Sequence, residues 1–199
     1  MEIEIKGIQI YNIRPFLERL QMIYAAMDHQ YNQAAAYYRF DCHACTDNCC
    51  RTRFYHHTYV EYLYIMEGVK TLNSKRKLEI KHRALKIYQK SAELDKQEKP
   101  VRLMCPMNVD NLCILYPYRP MICRLHGIPH ELQKSASRRV YGPGCETFDG
   151  RCSEKSYFTF DRTSFYLEMT ALENKFKQTA GITGKIKLTI AEMIAGEKL

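Results

Sequence analysis

Asp41-Cys42-His43-Ala44-Cys45-Thr46-Asp47-Asn48-Cys49-Cys50 places four thiols within nine residues, Cys42 to Cys50. Ordinary core packing does not call for that density. A second group follows downstream: Cys105-Pro106, Cys113, Cys123 and Cys145, with Cys152 shortly after. Clustered thiols in a reduced compartment bind metal or carry out redox chemistry. The two groups predict a chain built to hold thiolates around an inorganic centre.

The flanks of the first run predict a mainly helical fold. Pro15 suits a first helical turn. Phe16, Leu17, Leu20, Ile23, Tyr24 and Met27 recur at helical spacing, in a pattern that continues to about Phe40. The cysteine run then reads as a loop at the end of that helix. Ahead of it, Ile3 and Ile5 alternate with charged residues up to Gly7 and predict a short edge strand. From Phe54 a second helix carries Tyr55, Tyr59, Leu63, Met66 and Val69 on one face. Asn73-Ser74 breaks it. A third helix follows, with Leu78, His82, Leu85, Tyr88 and Ala92 in step and lysines opposite, ending at Glu98-Lys99-Pro100.

Between Pro100 and Pro143 there are six prolines among forty-four residues, which excludes long helices and leaves room for turns and a small sheet. Gly142-Pro143-Gly144-Cys145 reads as a tight turn presenting a thiol. Asp161 can cap a helix bearing Phe165, Leu167, Met169, Leu172 and Phe176 and ending near Gly181. Thr189–Ala195 predicts a last short helix. No repeat or linker divides the chain. The expectation is one domain over residues 1–199, mainly α, with an irregular cysteine-rich layer at about 42–152 and helical elaborations on both sides.

With 199 residues, 46% hydrophobic and 26% charged, the chain can bury a sizeable core. Its net charge is +8. Lys70 to Arg102 alone holds eleven Lys/Arg against four acids, or +7. The plain reading of that run is a solvated helix face. Nucleic-acid binding through this basic helix (70–102) is the sharper alternative and is not favoured, because no aromatic residues are interleaved for base stacking. Met1-Glu2-Ile3-Glu4-Ile5-Lys6 has no signal-peptide pattern and no apolar run reaches membrane-spanning length, so a cytoplasmic protein with no membrane association is expected.

A Cys-x2-Cys turn lets two side chains converge on one metal, and Cys42 and Cys45 have that spacing. Cys49 lies one short turn further on. Cys50 either ligates a second, adjacent centre or sits behind the ligands, since neighbouring side chains diverge. Cys105, Cys113, Cys123 and Cys145 are the distant donors. Four plus four thiolates suit two four-cysteine centres, or one centre with thiols in reserve. Arg119 and Arg124 flank Cys123. A guanidinium there stabilises a thiolate, and a surface salt bridge is the plain alternative. His43, His126 and His56-His57 read as neighbours rather than ligands. Gly181-Ile182-Thr183-Gly184-Lys185 lacks the glycine spacing and the Ser/Thr of a phosphate loop.

The residues Cys42-x2-Cys45-x3-Cys49-Cys50, Cys105-Pro106 and Cys113-Ile114-Leu115-Tyr116-Pro117-Tyr118-Arg119-Pro120-Met121-Ile122-Cys123-Arg124 resemble the YkgJ-type cysteine-cluster family. That family is described as a zinc- or iron-chelating domain with a CxxCxxCC run, and is similar to the flagellin lysine N-methylases. The resemblance spans about residues 42–145. It implies eight cysteine ligands: Cys42, Cys45, Cys49, Cys50, Cys105, Cys113, Cys123 and Cys145. The chain departs from the family pattern in having three residues between Cys45 and Cys49. It also has a ninth thiol, Cys152, which competes with Cys145 for the last ligand position. Thiolates alone suit both iron–sulfur and zinc. The irregular downstream spacings of seven, nine and twenty-one disfavour a simple zinc ribbon. The expectation is a 4Fe–4S-type centre in a redox, electron-transfer or accessory role, with a protein or redox partner. An iron–sulfur-dependent lysine N-methylase and a zinc-stabilised interaction module are the alternatives.

Overall fold

The computed structural model describes residues 3–5, 8–10, 12–41, 49–152 and 154–196. Among them are seven α-helices and three two-stranded antiparallel hairpins, so the mainly α class and the small sheet content are as expected. No described helix is long and apolar enough to cross a membrane. The chain groups into two compact units, Met1–Asp47 with Met121–Thr183, and Asn48–Pro120 with Gly184–Leu199.

In the first unit, β1 (Ile3–Ile5) pairs with β2 (Ile8–Ile10). Helix α1 (Arg14–Tyr38) has Pro15 in its first turn, as read, and buries Leu17, Leu20, Ile23, Tyr24 and Met27. It stops where Arg39 turns left-handed (φ 52°) and the Phe40 N–H closes on the Ala35 carbonyl at 2.9 Å. Against α1 pack α4 (Met121–Leu125) and α6 (Thr163–Ala180), with Phe16 and Phe176 edge to face at 5.3 Å. Asp161 does not cap α6 as expected. Arg162 occupies the cap, and Asp161 instead accepts the Thr163 N–H at 2.8 Å. Leu167 also falls outside the expected core face and is exposed, because Phe165, Met169, Leu172 and Phe176 already complete the stripe. Strands β5 (His130–Ser135) and β6 (Arg138–Gly142) form a bulged hairpin, followed by α5 (Glu146–Cys152).

The second unit is built on α2 (Tyr59–Lys70) and α3 (Ser74–Lys96). Helix α2 begins later than the apolar pattern suggests because Thr58 accepts the Glu61 N–H, while Thr58 Oγ1 donates to the Glu61 carboxylate at 2.6 Å. Asn73 caps α3 through the Arg76 N–H at 2.9 Å. The buried stripe of α3 is centred on Ile80 and Ala84. The expected face of Leu78, Leu85 and Tyr88 is on the solvent side instead. Both stripes satisfy helical periodicity, so spacing alone cannot choose between them. The choice falls to α7 (Ile190–Gly196), whose Met193 and Ile194 join Ile80, Ala84, Ile65 and Val69 in one core. Thr189 and Glu192 cap α7 reciprocally.

Candidate metal centre

The hairpin β3 (Asn108–Val109) and β4 (Leu112–Cys113) turns through Asp110 and Asn111, at φ 50° and 64°. That pair of left-handed residues makes the two-residue turn that matches strand twist. The resulting register sets Asn108 opposite Cys113. Upstream, Cys105-Pro106 enters the hairpin through a tight turn in which the Asn108 N–H donates to the Cys105 carbonyl at 3.0 Å. The Cys49–Arg51 turn is fastened to this hairpin by the Cys105 N–H, which donates to the Cys50 carbonyl at 2.8 Å. Cys49, Cys50, Cys105 and Cys113 therefore belong to one unit, all half-buried.

Their electrostatics differ in a useful way. A hydrogen bond from the Cys49 thiol, helped by Asn108 and by the Arg119 charge, outweighs burial and lowers the Cys50 thiol to about 6. Burial pushes Cys105 up to about 12, against the Met107 N–H that points at its sulfur. Burial raises Cys113 too, against the Leu115 N–H. Each hairpin sulfur thus receives the backbone N–H two residues on, an arrangement that stabilises a thiolate once a cation supplies the compensating charge. Cys50 lies within electrostatic reach of both Cys105 and Cys113.

Two buried donors lie near the thiols. Asn108 Nδ2, close enough to influence Cys50, completes no hydrogen bond of regular geometry among the described residues. Arg83 Nη1 donates to the Asn108 carbonyl at 2.8 Å, while its Nη2 is buried without a hydrogen-bond partner among the described residues. Buried donors left unmatched are costly, on the order of 1–3 kcal/mol each. Anionic sulfur beside them would remove that cost, so this chemistry fits a thiolate centre. Among the described residues, no group of three or more His, Cys, Asp or Glu side chains is arranged to hold a metal ion.

The first unit contains Cys123, Cys145 and Cys152. Cys123 sits on α4, which is held by Arg124 to Asp28 at 2.6 Å and by Arg162 to the Leu125 and Ile128 carbonyls. Cys145 lies between β6 and α5, its N–H donating to the Gly127 carbonyl at 3.0 Å. Cys152 is buried, its Sγ facing the Tyr38 carbonyl at 3.7 Å. All seven described cysteines are free thiols. Cys42, Cys45 and His43 lie outside the described residues.

The flanking arginines take different places from those their sequence positions suggest. Arg124 is buried, pairs with Asp28 and stacks 4.2 Å from the Tyr24 ring centre, so it is neither a surface salt bridge nor a free charge beside Cys123. Arg119 lies over the Tyr116 ring at 3.5 Å and directs its charge to Cys50 and Cys113. Sequence reading missed Asn108 and Arg83. Asn108 is signalled only by the Asp110-Asn111 turn that fixes its register, and Arg83 only by lying one residue from the buried Ala84. His56, half of the His56-His57 pair, is buried in a bridge to Leu188, and burial lowers its imidazole below the ordinary histidine value. No family model matches the chain, and neither a curated protein sequence nor a solved structure is similar to it.

Proposed function

We propose that this protein binds an iron–sulfur centre through cysteine thiolates, in a redox, electron-transfer or accessory role, as a YkgJ-type cysteine-cluster protein. The observation that carries the reading is the 2.8 Å bond from the Cys105 N–H to the Cys50 carbonyl, which fastens the Cys49-Cys50 pair to the turn that leads into the hairpin bearing Cys113. Cys49, Cys50, Cys105 and Cys113 make one set of four. Cys42, Cys45, Cys123 and Cys145 complete a second set of the same size. Burial of Cys152 against Tyr38 favours Cys145 as the eighth ligand. Free thiols throughout the described residues favour a reducing, cytoplasmic setting.

Soft thiolates accept zinc as readily as iron. The donors Asn108 Nδ2 and Arg83 Nη2 suit the anionic sulfur of either centre, and it is the irregular downstream spacing of seven, nine and twenty-one residues that favours iron–sulfur over a simple zinc ribbon. Protein produced and purified without oxygen should contain iron and acid-labile sulfide and absorb broadly in the visible. Substituting Cys105 or Cys113 by Ala should remove a large share of both. Colourless protein with stoichiometric zinc would replace this reading by a structural zinc site, and protein that binds neither metal would end it.

A further inference from the structure

Helix α3 has two apolar stripes, and only one is used by the fold. Ile80 and Ala84 are fully buried. On a neighbouring face, Leu78, Leu85 and Tyr88 are 58%, 37% and 49% exposed. Residues 78, 85 and 88 follow the i, i+7 and i+10 spacing of a single helix face, so they form one ribbon rather than scattered exceptions.

The charges beside the ribbon are unbalanced. All three acids of α3 are committed: Glu79 to Arg76 at 2.9 Å, Glu93 to Lys90 at 3.0 Å, and Asp95 to Arg53 at 2.6 Å. Lys75 and Lys86 border one side of the ribbon and Lys77 the other, and none of the three has an ion-pair partner among the described residues. We infer that this face of α3 is a docking surface for an acidic amphipathic helix of a partner protein. Leucine-type residues of that helix would cover Leu78, Leu85 and Tyr88, and its flanking carboxylates would meet Lys75, Lys77 and Lys86.

The same features weigh against the other occupants. A second copy of this chain would set lysines against lysines. A nucleic-acid backbone presents a continuous row of phosphates and offers nothing apolar to cover Leu78, Leu85 and Tyr88. An interfacial lipid helix needs a broad apolar face with aromatic anchors. This ribbon carries one Tyr, and the chain has no Trp. The inference does not depend on the metal centre, since every group in it lies on the solvent side of α3.

The test uses the full chain and four probes. These are a labelled synthetic helix with leucines at i, i+4 and i+7 flanked by glutamates, a scrambled peptide of the same composition, phosphatidylglycerol vesicles, and a DNA duplex. Anisotropy titration should show saturable binding of the amphipathic peptide, weakened about tenfold by Leu85→Glu and by the pair Lys75→Glu/Lys86→Glu. Tyr88→Ser provides a second apolar variant should Leu85→Glu alter the circular dichroism. The scrambled peptide should bind more weakly than the ordered one. Equal binding of both peptides, or indifference to Leu85→Glu and Tyr88→Ser, would overturn the inference. Tighter binding to vesicles or duplex than to the peptide would overturn it in favour of that ligand, and concentration-dependent dimerisation lost in Leu85→Glu would do so in favour of a second copy.

Discussion

Arg83 and Asn108 are joined by one hydrogen bond, Arg83 Nη1 donating to the Asn108 carbonyl at 2.8 Å, and each has a buried side-chain donor, Arg83 Nη2 and Asn108 Nδ2, with no hydrogen bond of regular geometry among the described residues. The pair spans from the middle of α3 to the start of the hairpin that carries Cys113. Arg83→Met keeps the aliphatic stem and removes both the hairpin contact and the spare donor. We expect a helical circular dichroism spectrum like that of the wild type and a lower iron content after anaerobic purification, measured per polypeptide. Full iron retention would show that Arg83 serves the fold alone.

The Cys50 thiol is lowered to about 6 chiefly by the Cys49 hydrogen bond. In metal-free, reduced protein its alkylation by iodoacetamide should reach half-maximal rate near that pH, read by peptide mass spectrometry. Cys49→Ala should move the midpoint towards the ordinary thiol value near 9. Because the folded value lies below the unfolded one, Cys50 adds stability above about pH 9, and this is lost as pH falls towards 6. Cys105, raised to about 12, acts the other way and loses the protein stability as pH rises from 9 to 12.

Gly68 on α2 has no room for a side chain. A Cβ there would lie 2.5 Å from Cγ of Tyr118, at the root of the ring where rotation brings no relief. Gly68→Ala should therefore cost ~1–3 kcal/mol despite the better helix propensity of alanine, because overpacking outweighs a propensity gain of about 1 kcal/mol. Urea unfolding would measure it.

His130 is held down to about 4, first by burial and then by the nearby Arg162 charge. An unfolded chain takes up that proton near 6.5. Stability should therefore fall as pH drops from 6.5 to about 4, with no further loss from this group below that. His130→Gln should flatten the slope in acid titrations followed by circular dichroism.

Cys152 and Cys105 should separate cleanly. Cys152→Ala removes a buried sulfur facing the Tyr38 carbonyl and should cost roughly 1 kcal/mol of stability with metal content unchanged. Cys105→Ala should reduce bound metal. Equal metal loss in both variants would make Cys152 a ligand and displace Cys145.

The helix-forming segments were legible because each carries its own punctuation. Pro15 opens α1, Asn73 separates α2 from α3, Gly181 turns left-handed (φ 67°) to close α6, and Thr189 with Glu192 opens α7. Thiol density was legible for the same reason, since it needs no knowledge of contacts. The working face of α3 was not. Its two apolar stripes are equivalent as patterns, and Met193 and Ile194, more than a hundred positions after Ile80 and Ala84, decide which is buried.

The sequence by itself determined the long helices α1, α3 and α6, the last short helix and how many sulfurs are on hand, because propensity, capping and composition act over a few neighbouring residues; the start of α2 and the short helices α4 and α5 were not legible in it. Only the tertiary structure decided which sulfurs share a unit, that Arg119 serves Cys50 while Arg124 is committed to Asp28, and that Asn108 and Arg83 bring unpaired donors to the thiols. Charge, burial and hydrogen bonding depend on distance in space, and chain separation does not encode that distance until the core has formed.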